Sequence, residues 1–212
     1  MVIEYFGHSC FRVTNAKGIS WLSDPYTKVG YELPQNLTAD FVTVSHAHFD
    51  HNAVHKVECD KVFDALGTFA WKDVALRGVV TDHDEKGGTL RGKNIVYIVE
   101  MDGITLCHLG DIGQDIDEAF LKALGKVDVL MLPIGGTYTI DATTAKAYVD
   151  AIAPKIVLPM HYKPLDGNID ITTEQPFLSL FDGVERLGAK KWVCDTKGIL
   201  SSNLRVVFME RL

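Results

Sequence analysis

Four things are missing from this 212-residue sequence, and each absence removes a class of function. There is no C-x-x-C pair. The four cysteines, Cys10, Cys59, Cys107 and Cys194, are far apart, which excludes a disulfide framework and a cysteine zinc knuckle. No apolar run approaches the roughly 18–20 residues of a membrane span, and the opening MVIEYF reads as a strand, so no membrane partner is expected. No block of Lys or Arg occurs, and the net charge of −7 opposes a phosphate-backbone partner, so no nucleic acid is expected. Finally, no repeat, low-complexity tract or long linker marks a boundary, which makes residues 1–212 one expected domain. The expected setting is a reducing cytoplasm. A chain of this length buries about 70% of its unfolded surface, so it needs no metal merely to fold.

The first half is a series of short β-rich segments. VIEYF, CFRVT, ISWLSD, FVTVS, KVFDAL, VALRGVV, NIVYIVEM and ITLCHLGD are separated by turns, with Asp102-Gly103 a strong hairpin signal. The second half alternates. Helices are predicted at IDEAFLKAL, at Ala142–Ile152 with Asp141 as N-cap and Pro154 beyond its end, and at Glu174–Leu187. VDVLMLP, KIVLPM, KWVCD and LRVVFM read as strands. The order predicts a sheet-rich α/β layered fold.

Against this background, half of the eight histidines crowd into VSHAHFDHNAVH, from Val44 to His55. If strand FVTVS continues, His46 and His48 point to one face and can grip one metal ion. Asp50, which could open a helix, and His51 then lie close enough to serve a second ion. Further donors are needed, and His108 and Asp111 in CHLGD and His161 in PMHY each stand at the end of an apolar strand, where layered α/β folds gather functional groups. Imidazole and carboxylate donors suit Zn²⁺, with Mn²⁺ or Fe²⁺ as rivals. His55 reads as a solvated helix histidine, and Cys107, Trp21, Trp71 and Trp192 as core.

The H-x-H-x-D-H run at His46–His51, followed in order by His108, Asp111 and His161, resembles the metallo-β-lactamase superfamily. GHSCF, DHDEKGG, CHLGD, PIGGTYTID and PMHY are similar to its ascorbate-6-phosphate lactonase-like branch of metal-dependent hydrolases. The resemblance implies a four-layer αββα sandwich with two divalent metal ions. It implies that His46, His48 and His108 hold one ion, that Asp50, His51 and His161 hold the other, and that Asp111 bridges them. It implies His8, Asp24 and His83 near the site, contacting substrate or orienting the ligands. Thr139, in a Gly-rich loop able to seat an anion, and Tyr162, as an oxyanion partner, are further candidates for substrate contact.

The expected activity is hydrolysis of a small, anionic ester, lactone or phosphodiester by a metal-activated hydroxide, with Asp50 orienting the nucleophile or passing a proton. Four rivals stand beside it: a mononuclear iron oxygenase acting on sulfur compounds, an RNA-type phosphodiesterase, a thioester hydrolase, and a non-catalytic scaffold. The expected partner is a small-molecule substrate, with a homo-oligomer open.

Overall fold

The structure is a computed structural model that describes residues 1–211. Six strands form one sheet: β1 (Val2–Gly7), β2 (Cys10–Thr14), β3 (Ser20–Ser23), β4 (Leu37–Thr43), β5 (Val57–Phe63) and, from near the chain's end, β13 (Lys191–Val193), in the order β13-β1-β2-β3-β4-β5. Eight form the other: β6 (Gly67–Trp71), β7 (Val74–Asp82), β8 (Lys93–Met101), β9 (Ile104–His108), β10 (Val129–Pro133), β11 (Ile156–Met160), β12 (Val184–Arg186) and β14 (Arg205–Phe208). Their order is β12-β14-β11-β10-β9-β8-β7-β6. Helices are few and short: α1 (Glu118–Leu124), α2 (Ala142–Ile152), α3 (Gln175–Leu178) and α4 (Thr196–Ser201). This is the mixed α/β, two-sheet architecture that the resemblance implied.

Local chemistry explains the elements. VLMLP of β10 and IVLPM of β11 are buried at every position and pair in parallel, as central strands covered on both faces must be. The β8–β9 hairpin turns at Asp102 and Gly103, with φ of 52° and 74°, the left-handed pair that a tight hairpin requires. Asp141 caps α2 by accepting from Thr144 N, and Ala153 closes it in a left-handed conformation just before Pro154. The alternation of β2 divides the core: Phe11 and Val13 join the large cluster between the sheets, whereas Cys10 packs with Leu22, Tyr26 and Val42 in a second one.

Two predicted helices are corrected. Of Glu174–Leu187 only Gln175–Leu178 is helical, because Gly183 breaks the run and Val184–Arg186 pairs with β14 instead. Nor does Asp50 open a helix. His51 N and Asn52 N both bond to His48 O, closing a turn, and Ala53 N is captured by Pro25 O, which leaves a single 3-10 turn at Val54–Lys56.

Strand direction places the site. β1 is antiparallel to β2, β2 to β3, and β3 is parallel to β4, so β1, β3 and β4 run the same way. By the same reasoning β7, β9, β10 and β11 share one direction in the other sheet. The loops that follow these strands carry the polar residues described next. Among the described residues no helix is long and apolar enough to cross a membrane.

Candidate metal centre

Each of six strands ends at, or just before, a residue of the site. His8 follows β1, Asp24 follows β3, the His46–His51 run lies just beyond β4, His83 follows β7, Asp111 lies three residues past the end of β9, and His161 follows β11. His8, Asp24 and His161 have φ of 52°, 38° and 52°. A left-handed backbone costs a residue with a side chain about 1–2 kcal/mol, so these turns are held open by the sheets around them.

Asp111 is the hub. Its Oδ2 lies 3.2 Å from His51 Nε2, 3.2 Å from His161 Nε2, 3.5 Å from His83 Nε2 and 3.9 Å from His46 Nε2. The donors fall into overlapping groups whose ligand atoms lie within 4.8 Å of one another: His46, His48 and His83; His8, Asp50, His51 and His161; and His46, His51 and Asp111. His46 and His48 do not share a strand face as expected, since β4 has ended at Thr43. They are neighbours in the following loop, with ring centroids 4.6 Å apart.

Other residues aim these donors. Asp24, buried and 2.8 Å from His51 Nδ1, accepts that N–H and so fixes the ring with Nε2 directed at Asp111. Asp24 also accepts from Ser45 N and Ser45 Oγ, fixing the start of the histidine loop. Asn94, which sequence reasoning passed over, is wholly buried: its Oδ1 accepts from Asp111 N at 2.9 Å, and its Nδ2 donates to Leu109 O and Thr81 Oγ1. Gly110 makes room for it. Its φ is +56°, and a β-carbon there would collide with Asn94 Oδ1 and fall 2.7 Å from Ser45 Cβ. Gly110→Ala is therefore expected to cost about 2–4 kcal/mol, from left-handed strain plus overpacking, and to weaken metal uptake. Thermal melting and metal titration together check this.

Three expected site residues lie elsewhere. His108 is fully buried, but its Nε2 donates to Ser9 O at 2.8 Å and its Nδ1 accepts from Gly110 N at 3.2 Å, so both ring nitrogens are spent on backbone and it joins none of the donor groups. His83 stands in the place assigned to it. As the last residue of β9, His108 points its ring between the sheets, whereas His83 begins the loop beyond β7. Tyr162 is turned away, its hydroxyl donating to Met209 O, and Thr139 donates to Ile140 O and does not line the cavity. Tyr138 lines it instead. His55 is exposed on the 3-10 turn, outside every donor group. Cys107 and Trp21 are core, as expected, and Trp71 and Trp192 pack partly buried against it.

The electrostatics are those of a cation site. Burial alone would raise the carboxyl of Asp111, but His161 and His51 hold it well below the ordinary range. Burial would lower His51, yet Asp111 and Asp24 push it well above its usual value. His46 is driven down to about 3 by burial and by His51, and His8 to about 4 by burial and by His161. Three carboxylates held below their ordinary range, Asp24, Asp50 and Asp111, thus gather among buried imidazoles, surroundings that suit divalent cations. A second observation agrees: His46 Nε2, His51 Nε2 and Asp111 Oδ1 are buried with no hydrogen-bond partner, although they converge on one another. Buried polar atoms are rarely left so, and a metal ion would satisfy all three. The donors are nitrogen and oxygen alone, a set that zinc, manganese and iron accept.

Comparison with known proteins agrees. Residues 2–161 match the family described as the β-lactamase superfamily domain, a span that ends on His161. A candidate Zn-dependent hydrolase of the metallo-β-lactamase superfamily from Thermotoga maritima, solved by crystallography, is 37% identical, superposes with a TM-score of 0.82 and is covered over 98% of both chains. The UPF0173 metal-dependent hydrolase of Methanocorpusculum labreanum is 31% identical over 76% of this chain and 83% of its own. Igni18, a metallo hydrolase of Ignicoccus hospitalis, shares the fold, with a TM-score of 0.67 at 21% identity over 99% and 95% of the two chains. The chain belongs to the metallo-β-lactamase superfamily, among its metal-dependent hydrolases.

Proposed function

We propose that this chain is a binuclear hydrolase of a small, anionic ester, lactone or phosphodiester. The observation that carries the reading is the pair of donor groups on either side of Asp111. His46, His48 and His83 would hold one ion, Asp50, His51 and His161 the other, with Asp111 shared. When bound, divalent ions supply Lewis acidity: they lower the pKa of water to about 7 and polarise a carbonyl or phosphoryl oxygen.

The chain's own residues do the rest. Asp50 lines the cavity and accepts at Oδ2 from His8 Nε2, 3.2 Å away. That contact requires the proton of His8 to sit on Nε2. It keeps Asp50 ionised at the cavity wall, where it can take a proton from a nucleophile or return one to a leaving oxygen. The cavity has a volume of about 490 Å³ and is walled by Phe49, Tyr138 and Ile169 beside the polar groups. That is the size of a small-molecule pocket, and it supports a compact substrate over a polymer. The net charge of −7 points the same way.

Elemental analysis of protein purified without chelator is the first test, and about two equivalents of zinc or manganese per chain are expected. Dialysis against chelator should abolish ester, lactone or phosphodiester hydrolysis, and added metal should restore it. About one equivalent of iron with oxygen consumption would replace this reading by the oxygenase. Metal bound without turnover would replace it by the scaffold.

A further inference from the structure

Arg91 is the one lysine or arginine among the described residues that line the cavity. Its position is built from a single buried carboxylate. Asp84 Oδ2 accepts from Arg91 N at 2.8 Å and Leu90 N at 2.9 Å, while Oδ1 accepts from Lys86 N at 2.9 Å and Gly88 N at 3.0 Å. Asp84 is 1% exposed and adjoins His83. The loop is tight: a β-carbon on Gly88, where φ is +78°, would fall 2.6 Å from Gly92 O. One carboxylate therefore ties the metal-facing His83 and the cavity-facing Arg91 into the same short loop, which fixes the distance between them.

The guanidinium is positioned and yet largely unused. Nη2 donates to Thr137 O at 3.0 Å, and the group lies 5.5 Å from the centroid of the Tyr138 ring. No carboxylate pairs with it among the described residues, although several surface cations of this protein do find one. A guanidinium carries five N–H donors in a planar fork, so most of the fork remains for an acceptor that enters the cavity. Planar bidentate acceptors of this kind are carboxylates and phosphates.

We infer that Arg91 is a specificity-determining residue, binding a carboxylate or phosphate that the substrate carries away from its scissile bond. The inference rests on the hydrolase reading above and names the part of the substrate that reading leaves open. The loop DHDEKGGTLR thus serves two ends of one ligand: His83 stands at the reacting end and Arg91 at the anionic end.

Two measurements on metal-loaded protein test it, each comparing the wild type with Arg91→Gln and Arg91→Lys. The first uses mono-4-nitrophenyl glutarate and its uncharged counterpart, 4-nitrophenyl valerate. Arg91→Gln should raise KM for the charged ester roughly tenfold or more, with kcat and the uncharged ester unchanged, and Arg91→Lys should recover part of the loss. The second is equilibrium binding of glutarate and of glycerol 3-phosphate. One of the two should weaken roughly tenfold in Arg91→Gln, and which one identifies the anion as carboxylate or phosphate. Equal effects on both esters, or anion binding indifferent to the substitution or absent from the wild type, would overturn the inference. Arg91-dependent anion binding with no turnover of either ester, of a lactone or of a phosphodiester would uphold Arg91 as the cavity's anion site and overturn the hydrolase reading alone.

Discussion

His83→Ala should strip one of the two proposed metal ions, while His108→Asn should keep both. Losing a residue that merely orients a ligand costs about 10–100-fold in metal affinity, so losing a direct nitrogen donor should cost ~100-fold or more. His83 Nε2 lies 3.5 Å from Asp111 Oδ2 and groups with His46 and His48, so its removal leaves that ion two imidazoles and a shared carboxylate. Both ring nitrogens of His108 bond to backbone, at Ser9 O and Gly110 N, and Asp24 Oδ2 lies 4.0 Å from its Nδ1. Its replacement should lower stability by about 1–3 kcal/mol, the cost of unsatisfied buried groups, and leave stoichiometry alone. Elemental analysis of the two variants, each beside a melting curve, separates the roles. A variant at 108 that stays folded but holds a single ion would return the ligand to the position the sequence suggested.

Asp24→Asn should leave the protein folded and lower metal affinity about 10–100-fold, although Asp24 is expected to touch no metal. The carboxylate accepts simultaneously from His51 Nδ1, Ser45 N and Ser45 Oγ. Burial would raise its pKa, but the His51 hydrogen bond and the nearby His108 bring it below the ordinary value, so it is ionised at neutral pH. An amide has one acceptor oxygen where the carboxylate has two, and its NH₂ cannot accept from His51. The ring would then lose the partner that fixes its tautomer, and Nε2 would no longer be held toward Asp111. Competition with a chromogenic chelator measures the affinity directly. Unchanged affinity would mean that Asp24 only braces the turn after β3.

How much of this was legible differs from residue to residue. The run from His46 to His51, Asp111 and His161 could be read because histidines and aspartates at the ends of apolar strands have few other uses. His8, Asp24 and His83 could be placed near the site but not in their roles. Whether a histidine is a donor or an orienting residue depends on which loop follows it, and the sequence holds no direct record of that. His108 shows the limit. It has a metal ligand's neighbourhood in sequence, with Asp111 three residues on, yet it is the last residue of β9 and its side chain is turned between the sheets. Asn94 and Arg91 were invisible, because their importance lies in contacts made with Asp111, 17 residues on, and with Thr137, 46 residues on.

By itself, then, the sequence determined the α/β class, most of the strands, the richness in nitrogen and oxygen donors, and the lack of any thiolate alternative. These follow from local patterns: periodicity, turn residues and clustering within a dozen positions. The tertiary structure alone decided which histidines gather into each donor group, that His83 rather than His108 faces Asp111, that the run after β4 is a turn instead of a helix, and that one arginine looks into the cavity. Those outcomes depend on how two sheets meet along one edge, where strands distant in the chain bring their ends within hydrogen-bond reach.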